Sequence, residues 1–462
     1  MPHTVEKVSG SSMSAFDDVL DNVILKPEPK DRYNRILVVP AYKGITDALL
    51  ENKSTNEAGV YQYTLCEGSE WEGKLDSVIQ RLLFVNDSLF ADPMLRREAD
   101  DFILERVSRT RQWIRHHLSM NDREQNLPTH RYMGHIRGRL ASIGEAHSAF
   151  NTALKAECYG VKTKFIDLAG SPSDPHKSLD IQVRSNLGDL DLSNELPVVA
   201  AYTSCDSEDY YQNDRRYGDT TLSKIAAFTE AEQAIIHKSH FLSSGDPSLI
   251  GADQVNPLGQ LSYEVANQLS ELSEEVVHPV AIEELSQKNI DLRVKCTFEP
   301  DNPGAFISRR HCPKKSRVEV ISGKEGVCVL TVTLTDNNLD KLNSHFLSLP
   351  DISLLHHDVI GKIAYYYFDC TMSHFGKILT KAKKLLPDGD LTVQRVALLS
   401  AIGTKIDFKE VLSVGCSALK QHGINPVNIH LSADGHSVIF IVASAQFRAA
   451  LCALHSDFLE SF

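Results

Sequence analysis

Apolar positions along this chain follow two rhythms. Ile36-Leu37-Val38-Val39 is a continuous apolar run that ends in Pro40-Ala41-Tyr42-Lys43-Gly44. That pattern predicts a strand buried on both faces and running into a loop, as in a parallel sheet. Phe165–Leu168, Pro197–Tyr202 and Ala231–His237 predict further short strands. Helical spacing appears in between. Phe16, Val19, Leu20 and Val23 recur at it just after the Gly/Ser-rich turn Val8–Ser12. Lys74–Leu118 is polar but carries Val78, Leu82, Leu83 and Phe90, which predicts a helical excursion flanking or covering a site. Strands alternating with helices over roughly the first 300 residues define an α/β domain with a mostly parallel sheet.

The rhythm changes near Asn302–Arg317, where Pro303, Gly304, Arg309, Arg310, Pro313, Lys314 and Lys315 gather. This polar, basic stretch is read as an interdomain linker. Beyond it, strands are predicted over 327–334, 363–368, 396–402, 427–431 and 438–442, and helices over 339–347, 372–386, 408–422 and 447–458. Two successive passes of this kind suggest tandem small modules of the ferredoxin-like type. The expected partition is a domain over 1–310 and modules over 316–392 and 393–462.

Composition narrows the function. With 462 residues, one ordinary core is too small, so several domains are expected. The net charge of -13 argues against nucleic acid or an anionic membrane as a partner, since both need clustered Lys and Arg. The nine cysteines are widely spaced and form no CxxC, which argues for a reducing compartment and against a disulfide or zinc framework. Met1–Ser14 has no apolar core of a signal peptide, and no run reaches the roughly 18 apolar residues of a membrane span. A cytoplasmic protein is expected. The adjacent pairs His116-His117 and His356-His357 do not share a helix face, and no metal site is expected. Lys381, Lys383 and Lys384 read as a solvated helix face, and Tyr365-Tyr366-Tyr367 as a strand.

Several short motifs then fall in a telling order. Val5-Glu6-Lys7-Val8-Ser9-Gly10-Ser11-Ser12-Met13 is followed by Val38-Val39-Pro40-Ala41-Tyr42-Lys43-Gly44-Ile45-Thr46, and by Gly144-Glu145-Ala146-His147-Ser148-Ala149. Next come Arg215-Arg216-Tyr217-Gly218-Asp219-Thr220-Thr221, His278-Pro279, and Arg293–Pro300 with Pro303-Gly304. Each motif is weak alone, but in this order and spacing the chain resembles the aspartokinases over nearly its whole length. The respective family patterns are Lys-Phe-Gly-Gly-Thr-Ser, a second glycine loop, Gly-Glu-x-x-Ser-Ala and Arg-Gly-Gly-Ser-Asp-Tyr-Thr. The opening motif, Ala146–Ala149 and Ile235–Lys238 resemble the ectoine-pathway subgroup.

The resemblance implies an amino-acid-kinase (carbamate-kinase-like) three-layer α/β domain followed by tandem ACT domains. It implies phosphorylation of the L-aspartate side-chain carboxylate by ATP with Mg²⁺. Lys7 and Asp219 are the implied catalytic pair, Asp219 orienting Lys7. Thr46, Glu145 and Arg215 are the implied substrate ligands, with Glu145 for the ammonium and Arg215 for the other carboxylate. Lys7, Ser9, Gly10, Ser11, Lys238, Ser244 and Asp246 are the implied nucleotide side. An amino-acid effector at the ACT domains and a homodimer are also implied. Read without the resemblance, Lys7 and Arg215 are solvated charges, Glu145 a first-turn helix acid and Asp219 a turn residue.

The chain departs from the family pattern at Ser9 (glycine), Pro40 (serine), Gly218 (serine) and Ser248 (basic), and Ser273-Glu274-Glu275 stands for Gly-Ala-Lys. Lys238 is a candidate for the missing positive charge. Two other readings stay open at this point: a catalytically silent amino-acid sensor on a kinase scaffold, and a kinase for another carboxylate.

Overall fold

The computed structural model describes residues 2–28, 31–52, 55, 57–66, 68–121, 129–170, 178–188, 190–200, 217–272, 277–311, 317–334, 339–347, 353–370, 372–386, 390–432 and 434–460. In chain order, β1 (Thr4–Val8) leads to α1 (Phe16–Val19), which continues as a π-turn through Leu25. There follow β2 (Arg35–Val39), α2 (Ile45–Leu49), α3 (Val60–Thr64), α4 (Glu70–Leu89), α5 (Pro93–Asn121) and α6 (Thr129–Glu157). Then come β3 (Thr163–Asp167), α7 (Leu179–Leu187), β4 (Leu196–Ala200), α8 (Tyr217–Thr229) and β5 (Gln233–Lys238). After α9 (Pro247–Ile250), β6 (Gln260–Leu261), α10 (Tyr263–Leu272) and α11 (Pro279–Lys288), the chain returns to strands β7 (Asp291–Cys296) and β8 (Ala305–Ile307). The remainder is β9 (Val320–Thr333), α12 (Leu339–Leu347), β10 (Ser353–Ile360), β11 (Ile363–Asp369), α13 (Met372–Leu385), β12 (Leu391–Ile402), α14 (Phe408–Gln421), β13 (Asn428–Leu431), β14 (Ser437–Ala443) and α15 (Phe447–His455).

Two compact units result: Met1–Phe241 with Val280–Ser308, and Leu242–Pro279 with Arg309–Phe462. In the first, the strands run in the order β3-β4-β2-β1-β5-β7-β8. All pairings are parallel except that of β7 with β8. Every residue of β2 and β4 is buried, as expected of central strands covered on both faces. Helices α4, α5 and α6 pack on one side through Leu75, Val78, Leu82, Ile103, Val107, Ile136 and Leu140. The helical excursion and the α/β class thus stand as expected. The stretch read as linker contains β8, whose Phe306 ring lies under the Arg293 guanidinium at 5.0 Å.

The second unit carries one six-stranded sheet, β10-β11-β9-β12-β14-β13. Strands β9 and β12 run through both halves of it. The C-terminal part of β9 pairs with β11, and the whole of β9 pairs with β12, whose Val396–Ile402 also pairs with β14. Alternation splits the side chains between faces. Cys328, Leu330 and Val332 of β9 pack with Phe346 and Phe375. Ala397, Leu399 and Ala401 of β12 pack with Leu419 and Leu451. The other faces meet each other through Val327, Val329, Val396, Leu398, Tyr367 and Ile441. The sheet therefore folds back on itself, and its two end strands approach. His356 of β10 and His430 of β13 have ring centroids 4.7 Å apart, and His430 Nδ1 lies 3.0 Å from Asp358 Oδ2. Burial, with the neighbouring His430, pushes the His356 imidazole down to about 4.

Candidate active site

Successive residues of β1 point to opposite faces of the sheet, so Glu6 and Lys7 enter different environments. Lys7 sits near the strand's C-terminal end, where ligand crevices form in open α/β sheets. Its Nζ lies 2.6 Å from Asp219 Oδ1, with the two side chains only 12% and 6% exposed. Asp219 is in the first turn of α8, where the helix dipole favours a carboxylate. The two residues expected to act as a pair are thus in contact, although 212 positions apart in sequence.

The opening loop follows directly. Ser9 N–H donates to the His237 carbonyl at 2.8 Å, prolonging the β1–β5 pairing. The Ser9 hydroxyl is 3.0 Å from both Ser11 Oγ and Ser12 Oγ. The Ser239 hydroxyl donates to Ser11 Oγ at 3.0 Å, and that of Thr297 to Ser12 Oγ at 2.9 Å. Gly10 and Ser11 are exposed. A Cβ built at Gly10 would meet no atom within 4 Å, so packing among the described residues does not require glycine there. Lys238 closes β5, half-buried, and its carbonyl accepts from Thr297 N–H at 2.7 Å.

The acceptor side is built by β2, α2 and α6. After β2 the chain turns at Gly44, whose φ of +77° is easily reached only without a Cβ, and Thr46 lies half-buried in the first turn of α2. Gly144 lets α6 lie against this loop, since a Cβ there would come within 2.8 Å of Ile45 Cγ2 and 2.9 Å of Ala41 Cβ. The Ser148 hydroxyl donates to the Pro40 carbonyl and latches α6 to the same loop. Glu145, one residue beyond Gly144, is 3% exposed, and its Oε1 accepts from the Tyr217 hydroxyl at the start of α8. Arg215 lies outside the described residues.

Two buried polar networks were not anticipated from sequence. On the other face of β1, the Glu6 carboxylate takes both Arg35 Nε and Nη2 at 2.7 Å, and His237 Nε2 at 2.8 Å. Burial alone would raise Glu6, but the Arg35 charge and the His237 hydrogen bond hold it well below the usual carboxylate range. This network ties β1, β2 and β5 together just beneath the opening loop. The signal available was a polar or charged residue in each of three strands: Glu6 in the middle of β1, Arg35 at the start of β2 and His237 near the end of β5. The second network joins α4 and α6. His147 Nε2 is 2.7 Å from Asn86 Oδ1, Asn151 Nδ2 donates to the same oxygen at 2.8 Å, and Asn86 Nδ2 donates to Asp100 at 2.8 Å. Burial pushes the His147 imidazole down to about 3.

Ser244 and Asp246 belong to the second unit. Ser244 is 2% exposed; its hydroxyl lies 2.9 Å from His455 Nε2 of α15 and accepts from Asn256 N–H at 2.9 Å. Asp246 is the N-cap of α9, accepting from Ser248 N–H at 2.8 Å and from the Ser248 hydroxyl at 2.6 Å. Both side chains brace the segment that follows β5.

A half-buried lysine paired with a helix-start aspartate thus lies beside a serine-rich strand-to-helix loop. The profile of the amino acid kinase family matches residues 3–296. The chain is 36% identical to the aspartate kinase Ask_Ect of Stutzerimonas stutzeri (strain A1501), over 99% of this chain and 98% of that one. The structure of E. coli aspartokinase III in complex with aspartate and ADP superposes with a TM-score of 0.72 at 15% identity, covering 98% of this chain and 99% of that one. Clostridium acetobutylicum aspartate kinase gives a TM-score of 0.63 at 17% identity, covering 99% and 100%. The chain is an amino-acid-kinase protein, and within that class it belongs to the aspartate kinase family.

Proposed function

We propose that this protein transfers the γ-phosphoryl group of ATP to the side-chain carboxylate of L-aspartate, forming 4-phospho-L-aspartate and ADP. The observation that carries the reading is the Lys7–Asp219 pair, 2.6 Å apart, with Asp219 on the same helix start whose Tyr217 engages Glu145. An aspartate side chain has a pKa near 3.9, so the acceptor is already an anion at neutral pH and needs no general base. The difficulty is bringing that anion to a polyphosphate, and a site of cations and donors meets it. Lys7 would neutralise charge on the transferring group. Asp219, engaged with Lys7, would aim the ammonium rather than remove a proton.

Glu145 would take the substrate ammonium, Thr46 would hydrogen-bond the substrate, and Arg215 would hold the carboxylate that does not react. Ser9, Gly10, Ser11 and Lys238 would receive the nucleotide phosphates, with Ser244 and Asp246 shaping the adjoining segment. The hydroxyl and carboxylate oxygens here are the hard donors that suit Mg²⁺, which would enter with ATP and draw charge off its phosphate oxygens. Residues 1–310 would form the kinase domain. The modules over 316–392 and 393–462 would be ACT domains that bind an amino-acid effector and pair in a homodimer. The product would feed aspartate-derived amino acids (lysine, threonine, methionine) or ectoine, in the cytoplasm. No helix among the described residues is long and apolar enough to cross a membrane.

The test is incubation with ATP, Mg²⁺, L-aspartate and hydroxylamine. Hydroxamate formation with L-aspartate and not L-glutamate supports the reading. Absence of product together with absence of ATP binding refutes it, and product with glutamate alone reassigns the acceptor.

A further inference from the structure

The first turn of α8 supplies two side chains that point different ways. Asp219 reaches Lys7, and Tyr217, two residues earlier, places its hydroxyl on Glu145 Oε1. Residues two apart on a helix do not share a face, so one turn can serve two partners on opposite sides. Tyr217 is half-buried and packs on the same apolar cluster as α4 and α6, while Glu145 projects from the middle of α6. The motif that this stretch resembles has glycine at the position of Tyr217, and a glycine could make no such contact.

We propose that Tyr217 is the positioning residue for the acceptor's ammonium site, acting through Glu145. This rests on the reading of Glu145 as the ammonium ligand. A glutamate has several rotatable bonds, and a buried carboxylate that must meet a cation at one point needs a fixed direction. The phenol donates a charge-assisted hydrogen bond to Oε1, which stabilises the anion and sets the plane of the carboxylate. Because Asp219 is in the same turn, the group that neutralises phosphate and the group that receives the ammonium are held in register by one short piece of helix. The other face of this register is discrimination: an acceptor without an ammonium makes no use of Glu145 and should not sense Tyr217.

The experiment measures steady-state kinetics by the hydroxamate assay for the full-length wild type, Tyr217→Phe and Glu145→Gln, with succinate as a competitive ligand that lacks the ammonium. Phenylalanine keeps the ring and its packing and removes only the hydroxyl. The expected result for Tyr217→Phe is a KM for L-aspartate raised about ten- to a hundred-fold, the cost of losing a hydrogen bond to a charged group. Its kcat, its KM for ATP and the Ki of succinate stay within about twofold, because none of these involves Glu145. If Glu145→Gln raises the aspartate KM and Tyr217→Phe leaves it unchanged or lowers it, the positioning role is overturned. If the succinate Ki and the ATP KM worsen in parallel with the aspartate KM, Tyr217 is merely structural and the proposal fails. If Glu145→Gln itself leaves the aspartate KM unchanged, the ammonium reading of Glu145 fails, and the role of Tyr217 falls with it.

Discussion

The contact between Lys7 and Asp219 makes a quantitative prediction. At 2.6 Å, two unit charges attract by about 6 kcal/mol with an effective dielectric of about 20. Desolvation of two side chains that are 12% and 6% exposed offsets much of that. Removing Asp219 takes the carboxylate from a half-buried Lys7 ammonium, which typically costs about 3–5 kcal/mol. If Asp219 acts only by aiming Lys7, the two residues are one functional unit. Lys7→Ala, Asp219→Ala and the double variant should then lower kcat to a similar floor, each by about a hundred- to a thousand-fold. The coupling energy from the cycle would be about 2–4 kcal/mol, close to the cost of either single change. The assay is the hydroxamate reaction at saturating ATP, with circular dichroism to show that the variants fold. Additive losses, with the double variant far below either single one, would refute the positioning role of Asp219 and point to independent contact with the reacting groups.

Other outcomes follow from the buried networks and the opening loop. His147 is pushed down to about 3 from an ordinary 6.5, so the unfolded chain binds a proton that the folded one excludes. Its contribution is full above about pH 6.5 and is lost as pH falls toward 3, at about 1.4 kcal/mol per unit. His147→Gln should flatten the acid side of the melting-temperature profile, and an unchanged slope would contradict this. Glu6 is likewise held below its ordinary 4.5, so its stabilisation is present above that pH and fades as pH drops through the lower folded value. Glu6→Gln should cost about 3–5 kcal/mol at pH 7 by taking the carboxylate from Arg35, which keeps only uncharged acceptors such as the Val23 carbonyl, read by urea titration, and a loss below about 1 kcal/mol would dismiss the network as a stabiliser. Gly10→Ala should leave stability within about 0.5 kcal/mol, because nothing crowds that position, yet raise the KM for ATP several-fold. An unaltered KM would remove Gly10 from the phosphate cradle.

Patterning carried the central strands because a short, unbroken apolar run such as Ile36–Val39 fits best where both faces of a strand are covered, and β2 is buried throughout. It failed where burial is partial. Strand β10 contains Ser353, His356, His357 and Asp358, which show no alternation, and the histidine pair looks inert until His430 is brought to it from the far end of the sheet. Strands β9 and β12 proved longer than their apolar stretches, since Ser322, Lys324, Thr392, Gln394 and Arg395 are polar yet paired. Lys7, Asp219 and Glu145 were legible only through the order of motifs, because a lone Lys, Asp or Glu has a commoner role at the surface. The contacts of Glu6 with Arg35 and His237, and of Tyr217 with Glu145, span 29, 231 and 72 positions. Nothing local in a sequence encodes such distances. They follow from which strands become neighbours, and that is settled by the whole core.

The through-running strands β9 and β12 bear on how the C-terminal region can be dissected. No cut between its two halves leaves either with a complete sheet, because a break near residue 393 falls inside β12, and β9 contributes its early residues to one half and its late ones to the other. The two halves should therefore melt in one transition, and neither should survive as a soluble fragment alone. Exchange of amide hydrogens along β9 and β12 should slow together when only one half is stabilised. The region behaves as a single lever with two handles, and selection on either handle is felt by both.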